Sequence, residues 1–164
     1  MTSVRVYIAT TQGASEVQRI AEEDPNVHSV VCLNGTSEAL PISAAYDAFV
    51  RKPTGVIEKK YGHPVYRVDV SERISDGESW QLGLFAAHAL LCVNRLAGKG
   101  EAAERAVWVT GEVDRDLNVN PVSHVEEKLR RSAPLFAELK AAGIPLTIFM
   151  PQKNAGDLEA EWKD

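Results

Sequence analysis

The sequence lacks the long apolar runs and cysteine patterns that are typical of membrane proteins and disulfide-rich proteins. No stretch of the 164 residues approaches the ~18 consecutive apolar residues that a membrane helix needs. The N-terminal residues MTSVRVYIATT contain no apolar signal core behind a basic segment. The two cysteines, Cys32 and Cys92, form no CxxC pair. We therefore expect a soluble cytoplasmic protein with no membrane partner, in which both thiols are reduced.

A basic surface for nucleic acid and a motif for a metal ion are also missing. Lys and Arg number 18 against 23 Asp and Glu, which gives a net charge of -5, and the two signs are interspersed. Phosphate-backbone binding needs clustered cations, so we expect no nucleic-acid partner. The four histidines show no paired-ligand spacing with one another or with a cysteine: His28, His63, His88 and His124. We predict no metal site and no cofactor.

The sequence does contain enough apolar residues for one mixed α/β domain over residues 1–164. Hydrophobic residues make up 45% of the chain and charged residues 25%, which is typical of a single globular domain. Alternating or β-branched apolar residues predict strands at 4–9, 29–33, 56–60, 65–70, 106–110 and 146–150, the last of them buried. Capping, turn and periodicity signals predict helices at 16–23, 42–50, 82–96, from Val125 onward, and 157–162.

Glycine, proline and capping residues predict where several elements begin, end and connect. Gly62 and Pro64 predict a hairpin at 61–64, and residues 113–122 also read as a turn or hairpin. Ser123 and Glu126 have the spacing of a capping box for the helix that starts at Val125. Pro134 either kinks this helix or begins a second one, because proline is tolerated in a first helical turn. Gly143 is the expected C-terminal cap.

Two side chains in the second half suggest nucleophilic chemistry. A serine hydroxyl is a weak nucleophile and needs a base, and a lysine can be that base if burial lowers its pKa from ~10.4. Lys128 lies at the edge of an apolar helical stripe that includes Val125 and Leu129. Ser79 precedes the apolar stripe at 82–96, so we expect it in the first helical turn, where the amide groups favour a developing negative charge.

Both residues also have ordinary structural interpretations. A lysine at the edge of a stripe commonly extends its amine to solvent. A serine at a helix start is more often a cap than a nucleophile, and Ser75 and Glu78 fit a capping box. Taken alone, neither residue identifies an enzyme.

The order of several short motifs strengthens the functional interpretation. Asp-Gly-Glu-Ser at 76–79 is followed by Thr-Gly-Glu at 110–112 and by Pro-Val-Ser-His-Val-Glu-Glu-Lys-Leu at 121–129. The tail then reads Pro-Gln-Lys-Asn-Ala-Gly-Asp-Leu at 151–158. From about 65 to 162, the chain resembles the proteolytic domain of the Lon protease family, which has motifs of this kind in this order.

The resemblance implies a Lon-like, two-layer fold of the ribosomal-protein type and a peptidase with a Ser79-Lys128 dyad. Thr110 would hold the lysine, and Asp76 matches an acid that can approach it in closed forms of the site. No cofactor is implied. The sequence has no Gly-Lys-Ser/Thr phosphate loop, so a peptidase of this kind would cleave flexible polypeptides without ATP or would need a separate ATPase partner. Lon proteases form rings, which makes a homo-oligomer an expectation.

Several residues depart from the family pattern and keep a second function open. Trp80 follows the serine where the family has small residues, so it would crowd the substrate channel. Ser123 and His124 replace glycines, Leu117 occupies another glycine position, and residues 1–60 are predicted to be a divergent elaboration. The alternative is an inactive Lon-like pseudoenzyme that binds a protein partner through an exposed surface near Trp80 or through its N-terminal half.

Overall fold

The computed structural model describes residues 2–75 and 77–158, which form a mixed α/β fold. Within these residues the strands are β1 (Val4–Thr10), β2 (Gly13–Glu22), β3 (Val30–Leu33), β4 (Tyr66–Val70), β5 (Arg105–Val109), β6 (Glu112–Val113), β7 (Val119–Asn120) and β8 (Leu146–Phe149). The helices are α1 (Ser43–Val50), α2 (Ile57–Tyr61), α3 (Gln81–Cys92), α4 (Val125–Arg131), α5 (Ala133–Ala141) and α6 (Gln152–Gly156). None of these helices combines the length and apolarity needed to cross a bilayer.

Six of the strands form one mixed sheet in the order β3-β4-β2-β1-β5-β8. The central strands β1 and β2 form an antiparallel hairpin, and β2 is also antiparallel to β4. The outer pairs β3-β4, β1-β5 and β5-β8 are parallel. A small ribbon of β6 and β7 follows β5. The hairpin turn of β1-β2 and the carboxyl end of β5 therefore lie at the same edge of the sheet.

Each face of the sheet has its own hydrophobic core, because side chains alternate along a strand. In β1, Val6 and Ile8 point into the core beneath α1, α2 and α3. Ala9 belongs to the opposite core, where Val125 and Leu129 of α4 pack with Trp108 of β5. We call these the α3 core and the α4 core.

The helix predicted at 16–23 is wrong, because this segment is most of strand β2. Gly13 has φ 129°, a conformation that side chains rarely adopt, and it closes the tight hairpin with β1. Strand β2 lies between β1 and β4, and its side chains Val17 and Ile20 are buried in the α3 core. Pairing on both sides of the strand outweighs the local helical pattern.

The strand predicted at 56–60 is also wrong, and so is the hairpin predicted at 61–64. Residues Ile57–Tyr61 form α2, and Gly62 ends this helix with φ 91°. Glu58 lies in the first turn and Lys60 in the last, the charge order that the helix dipole favours.

Other predictions of secondary structure agree with the structure. Strands occur at 4–9, 29–33, 65–70 and 106–110, and helix α1 matches the prediction at 42–50 to within a residue. The turn at 113–122 is the β6-β7 hairpin. Pro134 lies in the first turn of the second helix α5, which begins at Ala133, and Gly143 follows this helix with φ 70°.

Four details at helix ends and at the C-terminus differ from expectation. Helix α4 begins at Val125 as predicted, but no side chain caps it, so the capping box of Ser123 and Glu126 is not formed. Helix α3 ends at Cys92, well before the glycines at 98–100. Strand β8 is mostly exposed rather than buried, since it is the outer strand of the sheet. The helix predicted at 157–162 falls largely outside the described residues.

A buried histidine connects α3 to α1 in the α3 core. His88 is 2% exposed, and its Nε2 lies 2.6 Å from the hydroxyl oxygen of Tyr46. The rings of Tyr61 and Tyr66 lie 6.4 and 4.6 Å from the imidazole centroid. This apolar surrounding disfavours the imidazolium, so burial lowers the pKa of His88 to about 3.

We expect His88 to make the fold sensitive to acid. Below about pH 6.5 this histidine is protonated in the unfolded chain but not in the folded chain. The free energy of unfolding therefore decreases as the pH is lowered. Between about pH 7.5 and 5 the loss is about 2 kcal/mol from this residue. Urea unfolding across this range should show a shallower pH dependence for His88→Gln than for the wild type. An identical dependence in both proteins would contradict the assignment.

Candidate active site

A groove of about 700 Å³ opens at the sheet edge where β1 turns into β2 and β5 ends. The loop before α3 forms one wall, and the segment leading into α4 forms the other. Its lining residues are Ala9, Thr10, Thr11, Ile74, Ser75, Gly77, Glu78, Ser79, Glu112, Pro121, Val122, Ser123, His124, Glu127 and Lys128. The groove is open to solvent on one side and reaches the buried amine of Lys128 on the other.

Three of the residues predicted from the sequence meet here, with Ser79 and Lys128 lining the groove and Thr110 buried behind them. Lys128 Nζ lies 3.2 Å from Ser79 Oγ and 3.2 Å from Thr110 Oγ1. Lys128 is 5% exposed, and Thr110 is fully buried. Through these contacts the ammonium form of Lys128 donates to both hydroxyls, whereas the neutral amine is within reach of the Ser79 proton.

Helix α4 holds Lys128 in place because the apolar residues on the same face of the helix are buried against the sheet. Val125 and Leu129 pack in the α4 core, and Lys128 lies on the same stripe one helical turn after His124. At the end of α4, the Trp108 indole N–H donates to Ser132 Oγ at 2.9 Å, which ties the helix to β5. The amine therefore points toward the sheet edge rather than to solvent.

Asn154 fixes the segment that leads into α4. Its side-chain oxygen accepts the Val122 N–H at 2.9 Å, and its amide nitrogen donates to the Val122 carbonyl at 2.8 Å. Asn154 belongs to the tail motif of the sequence, which indicated no role for it. A paired bond of one side chain to both backbone groups of a distant residue is not visible in sequence spacing.

Gly111 brings the end of β5 against the start of α3. Its N–H donates to the Ser79 carbonyl at 3.0 Å, and its carbonyl accepts the Leu82 N–H at 3.0 Å. A Cβ on this residue would lie 2.8 Å from Leu82 Cδ2, closer than packed carbon atoms approach. The glycine of Thr-Gly-Glu thus allows the close contact that places Thr110 beside Ser79.

Burial lowers the pKa of Lys128 from its ordinary value. Desolvation disfavours the ammonium form, and no carboxylate of the described residues offsets that effect on this amine. Ser79 lies just before α3, whose first residue is Gln81, so it sits outside the helix rather than in the predicted first turn. Asp76, the acid expected near the lysine, lies outside the described residues.

Trp80 does not line the groove. It is 1% exposed in the α3 core, where its ring meets the rings of Tyr46 and Phe49 at 6.3 and 5.6 Å. Its indole N–H donates to the Gly77 carbonyl at 2.7 Å. The predictions of a crowded substrate channel and of an exposed aromatic surface at Trp80 are therefore wrong, because the side chain turns inward beneath the serine loop.

Two positions where the family pattern has glycine keep a backbone that favours glycine. Leu117 and His124 have φ 64° and 61°, in the left-handed region. The ring of His124 is largely exposed at the groove wall, with Nδ1 3.9 Å from Glu127 Oε2. The loop before Lys128 thus has the backbone conformation that favours glycine, although Leu117 and His124 occupy these positions.

Two further carboxylates, to which the sequence pattern assigned no chemical role, line the same groove as the serine. Glu78 and Glu112 line the groove, and the pKa of Glu112 is raised by burial, then by the hydrogen bond and the charge of Glu78, and by the charge of Asp114. Within residues 2–75 and 77–158, no three His, Cys, Asp or Glu side chains are grouped to hold a metal ion.

No protein-family model matches this sequence, and no curated protein matches it significantly. We therefore infer the chemistry of the groove from its own residues. A hydroxyl beside a buried amine, both facing an open groove, is suited to nucleophilic attack with the amine as base.

We expect Lys128→Met to stabilise the protein at neutral pH. The folded chain holds the Lys128 proton less tightly than the unfolded chain, so this residue costs stability at neutral pH. The cost shrinks as the pH rises toward about 10.4, where the unfolded lysine also loses its proton. Thermal unfolding of the wild type and the variant at several pH values measures the difference.

Lys140→Met is a matched control, because Lys140 is exposed on α5. This variant should show no comparable gain at neutral pH. A Lys128→Met protein that is less stable than the wild type at neutral pH would mean that the ammonium is well solvated or paired.

Proposed function

We propose that this protein is a Lon-like serine peptidase in which Lys128 is the general base for Ser79. The observation that supports this most directly is the 3.2 Å distance between Ser79 Oγ and Lys128 Nζ, in a lysine that is only 5% exposed. A buried lysine with a lowered pKa has a neutral fraction near physiological pH that an exposed lysine lacks.

The reaction would proceed through an acyl-enzyme. Lys128 takes the hydroxyl proton of Ser79 as Oγ attacks a peptide carbonyl, and the lysine then gives this proton to the departing amine. Water, deprotonated by the same lysine, hydrolyses the ester and restores Ser79. Thr110 accepts a hydrogen bond from Nζ and keeps the amine oriented between these steps. Backbone amides near Ser79 are the expected oxyanion donors.

Three features support a Lon-like fold in addition to the motif order. The sheet is mixed, and β2 replaces a helix expected in the divergent N-terminal part, so residues 1–60 contain more β-structure than predicted. The residues of the serine, threonine and lysine motifs meet at one sheet edge. The left-handed backbone at Leu117 and His124 suits the glycines of the family pattern.

The proposed substrate is an unfolded or flexible polypeptide. The groove is open and about 700 Å³ in volume, which is large enough for a few residues of an extended chain. The sequence carries no phosphate loop for ATP, so a folded substrate would need a separate unfolding partner. Assembly into a homo-oligomer remains part of the proposal.

The competing function is an inactive module that binds a protein partner. One surface suggested for it is lost, because Trp80 is in the core. Lys128 lies within hydrogen-bonding distance of Ser79 and Thr110, and this arrangement favours the peptidase over the binding module. An inactive protein is under no requirement to keep a lysine buried at a cost in stability.

Hydrolysis of casein without ATP tests the proposal. We expect cleavage by the wild type, background activity in Ser79→Ala, and a loss of about 100- to 10,000-fold in Lys128→Met, because the base is removed. Thr110→Val should reduce the rate less than Lys128→Met does, since it removes a group that orients the base. The wild-type rate should rise with pH through the lowered pKa of Lys128, because only the neutral amine accepts a proton.

Circular dichroism and thermal unfolding of each variant check that the fold is kept. Cleavage that survives in Ser79→Ala would trace the activity to a contaminant or to another residue. A folded wild type that cleaves neither casein nor short flexible peptides would favour the binding module.

A further inference from the structure

A second cavity lies beside strand β2, apart from the groove of Ser79. Its volume is about 610 Å³, which is within the range of sites that bind small molecules. It is lined by Gln18 of β2, by Leu91 of α3, and by Gly98 and Lys99, which follow this helix. We call it the Gln18 pocket. It shares no lining residue with the groove, so the proposed peptidase chemistry does not account for it.

A buried amide in this pocket has an acceptor without a partner. Gln18 is 5% exposed, and its Nε2 donates to Asn34 Oδ1 at 2.9 Å. Lys99 Nζ donates to the same Oδ1 at 3.1 Å, which identifies this atom as an acceptor and the Gln18 atom facing it as the nitrogen. The Gln18 Oε1 atom is buried and has no hydrogen-bond partner among the described residues. The large majority of buried polar side-chain atoms have such a partner, so this oxygen indicates a site for a ligand that donates an N–H.

A β-bulge determines the position of Gln18. The pairing of β2 with β4 shifts between Val17 and Arg19, which leaves Gln18 as the extra residue of the strand. Its carbonyl accepts the Lys99 N–H at 3.0 Å, so the segment after α3 is bonded to the bulge. Bulges re-aim side chains and are frequent next to functional sites. The bulge thus brings the buried amide and a lysine to one pocket.

The charged side chains of the pocket include both signs. The guanidinium of Arg19 is exposed and makes no ion pair within residues 2–75 and 77–158, and there the amine of Lys99 contacts only an uncharged oxygen. Glu101 is also exposed and forms no ion pair with a described residue. The remaining charges, those of Arg67 and Asp69, neutralise each other at 2.9 Å. Two cations and one carboxylate therefore remain to bind a ligand.

These groups match the two charges of an α-amino acid. Its carboxylate can accept charge-assisted hydrogen bonds from Arg19 and Lys99, and its ammonium can donate to Gln18 Oε1 and face Glu101. The two charged groups of the ligand are joined through one carbon atom. The lysine amine and the Gln18 amide share one acceptor, so they are close enough to bind both groups at once. A fully ionised phosphate has no donor for Gln18 Oε1 and would be repelled by Glu101.

We infer that the Gln18 pocket binds a free α-amino acid with an apolar side chain. Ile20, Leu91 and Leu96 line the pocket and belong to the α3 core or pack against it, so they offer an apolar surface to that side chain. The inference does not depend on the peptidase proposal, because the pocket and the groove are separate.

Isothermal titration calorimetry with L-leucine tests the site. Three analogues each lack one of the recognised groups: leucinol has no carboxylate, 4-methylpentanoate has no ammonium, and glycine has no apolar side chain. We expect each analogue to bind at least about tenfold more weakly than L-leucine.

Variants of the pocket test the assigned contacts. Gln18→Leu should weaken the binding of L-leucine by about tenfold or more, because it removes the buried acceptor. Arg19→Gln should weaken binding by about three- to tenfold, and its exposed position makes this change compatible with the fold. Arg115→Gln makes the same change of charge at an exposed residue in the turn between β6 and β7, so it should bind L-leucine as the wild type does. Circular dichroism checks the fold of each variant.

Three results would overturn the inference. The first is a folded wild type that binds none of L-leucine, L-methionine and L-phenylalanine at millimolar concentrations. The second is binding that both Gln18→Leu and Arg19→Gln leave unchanged, and the third is tighter binding of inorganic phosphate than of L-leucine. Ser79→Ala should bind L-leucine as the wild type does, so the result is independent of whether the protein cleaves casein.

Discussion

The burial of one lysine is the constraint on which the site depends. An ammonium group loses hydration when it is buried, and among the described residues Lys128 regains two hydroxyl contacts in return. The surrounding structure must therefore hold it in place. Val125 and Leu129 fasten α4 to the sheet on either side of the lysine, and the bond from Trp108 to Ser132 fixes the end of the helix.

The loop that carries Ser79 is held by backbone hydrogen bonds and packing rather than by ion pairs of the described residues. Gly111 bonds to Ser79 and to Leu82, so the end of β5 and the start of α3 form one unit. Trp80 anchors the same loop from below in the α3 core. The position of Ser79 is thus set by close packing, in which a side chain at Gly111 would require Leu82 to move.

The sequence predicted the proximity of three side chains more accurately than it predicted part of the fold. Ser79, Thr110 and Lys128 are far apart in the chain, yet the order of their motifs predicted that they lie close together. The prediction succeeded because each motif follows a strand or lies near the start of a helix whose position is set by the sheet. Strand β2 was missed because its pairing with β1 and β4 is not local. Trp80 was misplaced because spacing alone did not tell which side of the serine loop faces the core.

That Glu78 and Glu112 line the same groove was also beyond the reach of the sequence. The two residues are far apart along the chain, and each alone looks like a solvated surface carboxylate. They reach one groove because Glu112 of β6 and the loop before α3 lie at the same edge of the sheet. Side chains that act through a shared contact, such as Asn154 on Val122, are hidden for the same reason.

The two halves of the proposed dyad belong to opposite layers of the molecule. Ser79 is anchored through Trp80 to the core beneath α3, whereas Lys128 extends from α4 on the other face, and Thr110 joins them at the sheet edge. In the proposed peptidase, neither layer alone would contain a complete catalytic pair. A chain with only one layer folded would therefore be unable to cleave the polypeptides around it, and hydrolysis would require the finished fold.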